Sequence, residues 1–238
     1  KVRQVINTIG ADVTIDRCLT INDPFFCSKI HRSPGTGSLF LQTNGFIDDT
    51  NFNLGSLQTK GVDLEGNYHA SLSDWGLGDY GALTFNVLGT YTQHLLTTTL
   101  VGDQPYDCAG FFGIVCQTPT PKWRHRARVT WATPWRVTAS ATWRYIGKVA
   151  DGTSLNPITS ANRATDEHIP AFNYLDLAAS WTVRDNLTLR AGVNNVFDKD
   201  PPLIGSASAP NVFASGNTFP QVYDALGRYA FVSLTADF

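Results

Sequence analysis

The sequence predicts an all-β fold, namely the C-terminal strands, about seven of them, of a larger antiparallel transmembrane β-barrel with long extracellular loops. Apolar and polar residues alternate over many runs, whereas no apolar run approaches the ~18 residues that a membrane helix requires. Charged residues make up 16% of the chain and aromatic residues 12%. Because soluble domains contain about 25% charged residues, this composition favours a membrane barrel.

The last run, YAFVSLTADF, shows the alternation most clearly. Val232 and Leu234 share one face and Ser233 lies on the other, because successive side chains of a strand point to opposite faces. The earlier runs are GVDLEGNYHASL (61–72), GALTFNVLGTYTQ (81–93), WRHRARVTWA (123–132), WRVTASATWRY (135–145), YLDLAASWTV (174–183) and LTLRAGVNN (187–195). We therefore expect barrel strands throughout residues 55–238.

The composition of the two faces distinguishes a barrel from a soluble sandwich. The apolar face contains many Ala and Gly residues, with aromatic residues such as Trp131, Trp143 and Tyr145 near strand ends. A sandwich core needs bulkier, interlocking side chains, whereas a lipid-facing wall only has to be apolar with aromatic girdles. The residues expected to face lipid include Val137, Leu177, Leu189 and Val232, and those expected to face a wet lumen, where charge is tolerated, include Thr138, Asp176, Arg190 and Ser233.

The lengths of the connections also predict a barrel. Short and long connections alternate along the chain, at 73–80, 97–121, 133–134, 148–171, 184–186 and 198–227. Outer-membrane barrels have short periplasmic turns and long extracellular loops. Residues 1–54 are less regular, and we interpret them as one extracellular excursion. It would contain a strand end, a short helix and a possible hairpin arm at 38–46.

Four cysteines form two close pairs, Cys18 with Cys27 and Cys108 with Cys116. Neither pair has the C-x2-C spacing of a zinc site, and the histidines do not cluster beside them. Both pairs lie in segments that we interpret as extracellular, and the periplasm that such proteins cross is oxidising, so we expect two local disulfides. Sequence alone leaves the pairing open. No metal site and no cofactor are predicted.

Catalytic patterns do not occur in the sequence. It has no Ser/His/Asp spacing, phosphate-binding loop or dinucleotide fingerprint, so we predict that the protein is not an enzyme. Asp63 and Glu65 share a predicted strand face, where they can act as counter-charges for arginines. The loop acids Asp151, Asp166 and Glu167 are interpreted as solvated. A net charge of −2 gives no field that recruits nucleic acid, so no such partner is expected.

Several segments resemble TonB-dependent outer-membrane receptors. These segments are NLGSLQTKGVDLEGNYHASL (53–72), NNVFDKDPP (194–202) and YDALGRYAFVSLTADF (223–238), and the stretch at 107–131 with WRYIG (143–147) is similar to one large subgroup. The resemblance implies a barrel of about 22 strands with a plugged lumen. It also implies a location in the outer membrane of a Gram-negative bacterium and active uptake of a scarce solute, such as a siderophore or an oligosaccharide.

The resemblance further implies the partners of such a receptor. They are outer-membrane lipid, the TonB system acting through a plug domain, and the barrel assembly machinery, which is expected to read the terminal Phe238. Since Lys1 is neither a Met nor the start of a signal peptide, we expect the plug and the earlier strands to precede this sequence. The alternative function is that of a secreted soluble β-sandwich that binds glycans through its Trp and Tyr residues.

A row of arginines is the unusual feature of the predicted lumen. Arg124, Arg126 and Arg128 alternate along one strand, and Arg144 lies on the polar face of the next. The row can line the lumen and form salt bridges with the plug or with neighbouring strands. Alternatively, it can bind an anionic substrate. The sequence does not decide between these two roles.

Overall fold

The computed structural model describes residues 2–39, 44–98, 104–155, 167–205 and 216–237, with the backbone alone described at 2–7 and 52–54. The chain divides into two units. The first contains residues 1–59, 94–108 and 154–162, and the second contains residues 60–93, 109–153 and 163–238. In the described residues, no helix is both long enough and apolar enough to cross a membrane.

The first unit contains short elements around a disulfide. They are strand β1 (Val2–Asn7), helices α1 (Ala11–Ile21) and α2 (Pro24–Cys27), strands β2 (Ile30–His31) and β3 (Phe46–Ile47), and the beginning of β4 (Phe52–Ser71). The Cys18–Cys27 disulfide joins the two helices, beside the buried pair Ile9 and Phe26. Cys108 and Cys116 are also disulfide-bonded and none of the four cysteines is free, so both predicted disulfides are present.

Strand β1 lies within the segment that the sequence suggested to be a loop excursion. It pairs antiparallel with the beginning of β4, with Val2 opposite Leu57 and Asn7 opposite Phe52. The strand end expected at the start of this segment is β1. The short helix expected after this strand end is α1. Strands β2 and β3 pair beside the position of the expected hairpin arm, of which residues 40–43 lie outside the described residues.

The second unit is built on a long antiparallel sheet. The remaining strands of the chain are β5 (Ala82–Thr98), β6 (Tyr106–Asp107), β7 (Phe111–Phe112), β8 (Trp123–Ala132), β9 (Val137–Ile146), β10 (Val149–Asp151), β11 (His168–Ile169), β12 (Phe172–Arg184), β13 (Leu187–Asn194) and β14 (Tyr229–Ala236). In the described residues, the hydrogen-bonded order of the main sheet is β1-β4-β5-β8-β9-β12-β13-β14, with β6 beside β5. This order is linear, so the described strands do not close a barrel.

Short turns connect the long strands at one end of the sheet, called here the turn end. One detail of the prediction is wrong, because Trp135 and Arg136 belong to the turn and not to strand β9. Arg136 has a φ of 58°, which is left-handed backbone that does not continue a strand. The Thr133 hydroxyl donates to the Val137 carbonyl at 2.8 Å and closes this turn. Strand β9 therefore begins at Val137.

The sheet register places apolar residues opposite apolar residues. Leu177 on β12 lies opposite Ala141 on β9 and Val193 on β13, whereas its neighbour Asp176 lies opposite Thr142. Side chains on the apolar face stay exposed, with Leu177 at 43% and Val232 at 75%. The inner face of a soluble sandwich would be covered by a second sheet, but in the described residues nothing covers this face. The predicted fold class is confirmed.

Aromatic side chains form a cluster at each end of the apolar face. Trp123, Trp143 and Tyr145 surround the imidazole of His125. At the turn end, Trp131 lies between Tyr80, whose carbonyl accepts its indole N–H at 2.9 Å, and Trp135. Trp123 and Trp131 are eight residue steps apart, which is about 26 Å along a strand. Because barrel strands are tilted by about 40°, this distance corresponds to about 20 Å of membrane thickness, close to the apolar band of ~25 Å between two aromatic girdles.

The long connections leave the sheet at the opposite end, called here the loop end. In the second unit they pack into a core of their own, in which strands β7, β10 and β11 form a small sheet. The buried members of this core are Phe112, Val149, Ile169, Phe172, Tyr174, Ile204, Phe219 and Tyr223. Phe172 and Tyr174 lie on the polar face of β12, because their alternation continues through Asp176. The loops are therefore anchored on the polar face of the sheet.

Candidate ligand-binding site

The register of β8 and β9 brings the four predicted arginines onto one face of two adjacent strands. Arg126 lies opposite Arg144, Arg128 opposite Thr142 and Arg124 opposite Ile146. The side chains of directly opposed residues in an antiparallel pair lie on the same face. The arginines therefore share the polar face that carries Asp176. The four arginines nevertheless differ in their hydrogen-bond and ion-pair partners. These partners determine which arginines are available to a ligand.

Arg144 is held between two carboxylates. Its Nε and Nη2 donate to the two Asp176 carboxylate oxygens at 2.7 and 2.9 Å. Its Nη1 donates to Asp224 Oδ1 at 2.8 Å, and Nη2 also contacts the second oxygen of Asp224. The guanidinium carbon lies 4.7 Å from the centre of the Tyr174 ring. Bidentate geometry on both sides uses all three nitrogens of the planar guanidinium fork. The two carboxylates more than neutralise Arg144, and the three groups together have a formal net charge of −1.

The segment NNVFDKDPP has a structural role beside this arginine. The backbone amide of Asn195 donates to Asp176 Oδ1 at 2.9 Å. The buried Asn195 side chain accepts from the Lys199 amide and donates to the Lys199 carbonyl, at 3.0 and 2.9 Å. This pair of bonds closes a turn directly after β13. Through the Asn195 amide, this turn orients the Asp176 carboxylate, and Asp176 then orients Arg144. Asp176 therefore lies on the polar face, as expected from the sequence, and in addition holds Arg144 in place.

Two further arginines on this face have other contacts. Arg128 donates from Nε to the Thr142 hydroxyl at 3.0 Å. The Arg190 guanidinium lies 5.6 Å from the centre of the Phe231 ring, a distance at which cation–π attraction operates. Neither arginine has an acidic partner in the part of the chain that the structure describes. Their contacts restrain the side chains but leave the positive charges uncompensated.

Arg124 and Arg126 are the most available of the four. Both are exposed, and within the described ranges neither has an ion pair or a side-chain hydrogen bond. They line a cleft of about 340 Å³ at the loop end of the polar face, called here the arginine cleft. Its other lining residues are Leu88, Thr90, Pro119, Pro121, His125, Arg144, Tyr145, Ile146, Gln221 and Val222. Since Asp176 and Asp224 more than neutralise Arg144, the positive charge of this cleft comes from Arg124 and Arg126.

Among the remaining candidate acids, Asp63, Glu65 and Asp151 have hydrogen-bond partners within the protein. Asp63 accepts a hydrogen bond from the Thr90 hydroxyl at 2.8 Å, and Glu65 accepts from the Asn67 amide at 3.5 Å. Asp151 accepts from the Thr153 amide at 2.7 Å within a local turn. Its other carboxylate oxygen is buried, so the interpretation of Asp151 as a solvated loop acid was wrong. In the described residues, no group of three His, Cys, Asp or Glu side chains could hold a metal ion. Asp166 and Phe238 lie outside the described residues, so the role predicted for Phe238 stays a prediction.

Sequence reasoning missed two residues of the loops that complete the site. Asp224 lies 80 residues after Arg144, and the backbone amide of Asp224 donates to the Tyr174 hydroxyl at 3.3 Å. Tyr223 is fully buried beside Phe172, and this burial raises the pKa of the Tyr223 hydroxyl. The only signal in the sequence was the segment YDALGR (223–228), which places an aromatic residue beside an acid in one loop. The sequence could not show that the acid, Asp224, pairs with Arg144.

The comparisons with known proteins agree with this architecture. The family model "TonB dependent receptor-like, beta-barrel" matches residues 17–196. No curated protein matches the chain. A mutant of the ferric enterobactin receptor of Pseudomonas aeruginosa is similar in structure, with a TM-score of 0.51, 18% identity, and coverage of 82% of this chain and 24% of the receptor. The siderophore receptor PirA of Acinetobacter baumannii aligns with a TM-score of 0.49, 13% identity, and coverage of 87% and 25%.

The sheet has an exposed apolar face between two aromatic girdles and a polar face rich in arginine. This combination is typical of the wall of a membrane β-barrel. The family match covers well over half of the sequence, and the chain belongs to the TonB-dependent receptor-like β-barrel family. This membership favours the barrel over the soluble β-sandwich. The chain spans about a quarter of the length of the solved receptors that it matches.

Proposed function

We propose that this chain forms part of the outer-membrane barrel of a TonB-dependent transporter that takes up an anionic solute of the siderophore class. The observation that carries the proposal is the pair of uncompensated guanidinium groups, Arg124 and Arg126, in the arginine cleft. Family membership supports transport in place of catalysis. The names of the similar structures, which are receptors for ferric enterobactin or other siderophores, support the solute class.

The chemistry of the cleft fits an anionic ligand better than a neutral one. Arg124 and Arg126 are two residues apart on one strand, so their Cα atoms are about 7 Å apart. Two guanidinium groups at this spacing can each donate paired hydrogen bonds to carboxylate or catecholate oxygens. Leu88, Pro119 and Val222 supply apolar lining beside them. An uncharged oligosaccharide would leave both cations without a counter-charge.

The neutralised Arg144 has a different function, that of positioning. It ties strand β9 to the loop that carries Asp224 and to strand β12 through Asp176. The same loop contributes Gln221 and Val222 to the cleft. The ion-pair network therefore fixes one side of the cleft without consuming the charge of Arg124 and Arg126. Energy for uptake would come from the TonB system acting on a plug domain, and insertion would require the barrel assembly machinery.

We expect the double substitution Arg124→Gln/Arg126→Gln to weaken binding of an anionic ferric siderophore by at least about tenfold, because charge-assisted hydrogen bonds contribute about 1.5–3 kcal/mol each. Binding to the intact receptor in detergent would be measured by fluorescence quenching, with ferric enterobactin and ferric citrate as probes. The matched control is Arg184→Gln, which removes an exposed arginine at the turn end of β12.

Two outcomes would contradict the proposed solute class. In the first, the intact receptor binds neither probe but binds an uncharged oligosaccharide. In the second, the Arg124/Arg126 variant and the Arg184 variant bind a probe equally well. Raising the salt concentration provides a further check, since exposed charge pairs are screened within about 10 Å at 0.1 M salt. The affinity of the parent protein should decrease with salt more steeply than that of the double variant.

A further inference from the structure

A second cleft lies at the loop end of the sheet, beside the aromatic cluster of the apolar face. It has a volume of about 510 Å³ and is called here the lysine cleft. Trp123 and Tyr145 form its base, and Lys122, Lys148 and His168 form its polar rim. Among the described residues that line it, none is acidic. The two clefts share Tyr145 but have different cations, Arg124 and Arg126 in the arginine cleft and Lys122 and Lys148 in the lysine cleft.

The base of the lysine cleft is rigid. The indole N–H of Trp123 donates to His125 Nδ1 at 2.9 Å, and the imidazole stacks on Tyr145 with ring centres 5.2 Å apart. Gly147 donates its backbone N–H to the Trp123 carbonyl at 2.9 Å, and a Cβ at this glycine would lie 2.7 Å from that oxygen. The two strands therefore approach closely under the cleft. An aromatic base at this depth suits the boundary between acyl chains and headgroups.

Within the described part of the chain, no acidic side chain pairs with either lysine of the rim. Lys122 and Lys148 are exposed, and among the described residues neither has an ion pair or a side-chain hydrogen bond. The alkyl chain of Lys122 lies over Gly110, where a Cβ would come within 3.3 Å of it. Lysine side chains at a membrane boundary bury their stems on apolar surface and extend the ammonium group towards headgroups. The positions of Lys122 and Lys148 at the rim of the lysine cleft are consistent with such a role.

We propose that the lysine cleft binds a phosphate-bearing lipid of the outer leaflet. The phosphate would contact Lys122 and Lys148, and the first segments of an acyl chain would lie on Trp123 and Tyr145. The apolar base selects a lipid over free phosphate, and the uncompensated cations select an anionic headgroup over a zwitterionic one. This inference rests on the proposed location of the chain in the outer membrane. The lipid would hold the adjoining loop strands β7 and β10 at the membrane surface.

The test uses the intact receptor in a neutral detergent, titrated with diphosphorylated lipid A and followed by native mass spectrometry. We expect Lys122→Gln/Lys148→Gln to lower the affinity roughly tenfold or more, since each lysine near an anionic surface contributes about fivefold. The matched control is Lys60→Gln, which removes an exposed lysine of β4 that does not line the cleft. Heat-modifiable gel mobility would confirm that all variants are folded.

Three results would overturn the inference. Dephosphorylated lipid A could bind as tightly as the diphosphorylated form, Lys60→Gln could weaken binding as much as the double variant, or inorganic phosphate alone could bind with the same lysine dependence. Each can occur while the receptor still inserts in the outer membrane and binds its solute, so only the lipid site would be rejected. If the receptor did not insert in the outer membrane at all, the proposed function itself would fail.

Discussion

Replacing Arg144 with leucine is expected to destabilise the protein by about 3–5 kcal/mol, because it leaves two partly buried carboxylates without a counter-charge. The side chains of Asp176 and Asp224 are only 16% and 18% exposed, so water cannot compensate for the lost partner. Arg144→Lys should be intermediate, since a lysine retains the charge but not the bidentate fork. The measurement is the free energy of unfolding by urea in lipid vesicles.

The control for this prediction is Arg136→Leu in the turn between β8 and β9. Arg136 pairs with Asp185 at 2.8 Å, but the two side chains are 60% and 92% exposed, and such surface pairs contribute at most about 1 kcal/mol. Adding Asp176→Asn and Asp224→Asn to Arg144→Leu should restore part of the stability, because it removes the unpaired charges. If Arg144→Leu were no more destabilising than Arg136→Leu, the proposed network would not hold the loop.

Arginine at Leu177 is expected to cost about 2–4 kcal/mol of stability in a bilayer, because this position faces lipid near the middle of β12. Ser140→Arg is the matched control. Ser140 lies on β9 opposite Ala178, the neighbour of Leu177, and thus at a similar depth but on the polar face. The arginine of the control would extend into the wet lumen. Both variants would be compared by urea unfolding in the same vesicles.

This comparison depends on the location of the protein in a bilayer. In a soluble protein with a covered apolar face, Leu177→Arg would also be costly, so the cost alone is not decisive. The depth dependence is more informative, since the penalty for arginine on a lipid face decreases towards the interfaces. We therefore expect arginine at Leu189 or Val183, closer to the turn end, to be less costly than at Leu177. An equal cost at all three positions would contradict a bilayer.

The strand faces could be predicted from sequence because they follow from a single local rule. Strict alternation in β12 and β14 assigned Leu177 and Val232 to the apolar face, and the register agrees with this assignment. A strand end was expected at the position of β1, but its pairing with β4 was not predicted, because a six-residue segment has too little periodicity to indicate its partner. The boundary at Trp135 was misplaced for a different reason. Arg136 continues the alternation in sequence but adopts a left-handed turn conformation.

The candidate site could be predicted only in part. Alternation identified Arg124, Arg126, Arg128 and Arg144 as one row, but it treated them as equivalent. In the structure Arg144 is paired with acids, Arg128 is hydrogen-bonded to Thr142, and Arg124 and Arg126 are available. The pairing of Arg144 depends on Asp224, which belongs to a distant loop. Contacts between residues so distant in sequence leave no local pattern. The fold of the loop core around Tyr223 likewise depends on packing between connections, which have no periodicity from which it could be derived.

The most direct test of the central claim is to measure which environment surrounds the apolar face. Fluorophores would be attached to cysteines introduced at Leu177 and Val232 of the intact receptor, and at Ser140 as the polar-face control. We expect lipid-borne quenchers to reach Leu177 and Val232 and aqueous quenchers to reach Ser140. If labels at Leu177 and Val232 ignored the lipid-borne quencher, the apolar face would not be a lipid-facing barrel wall.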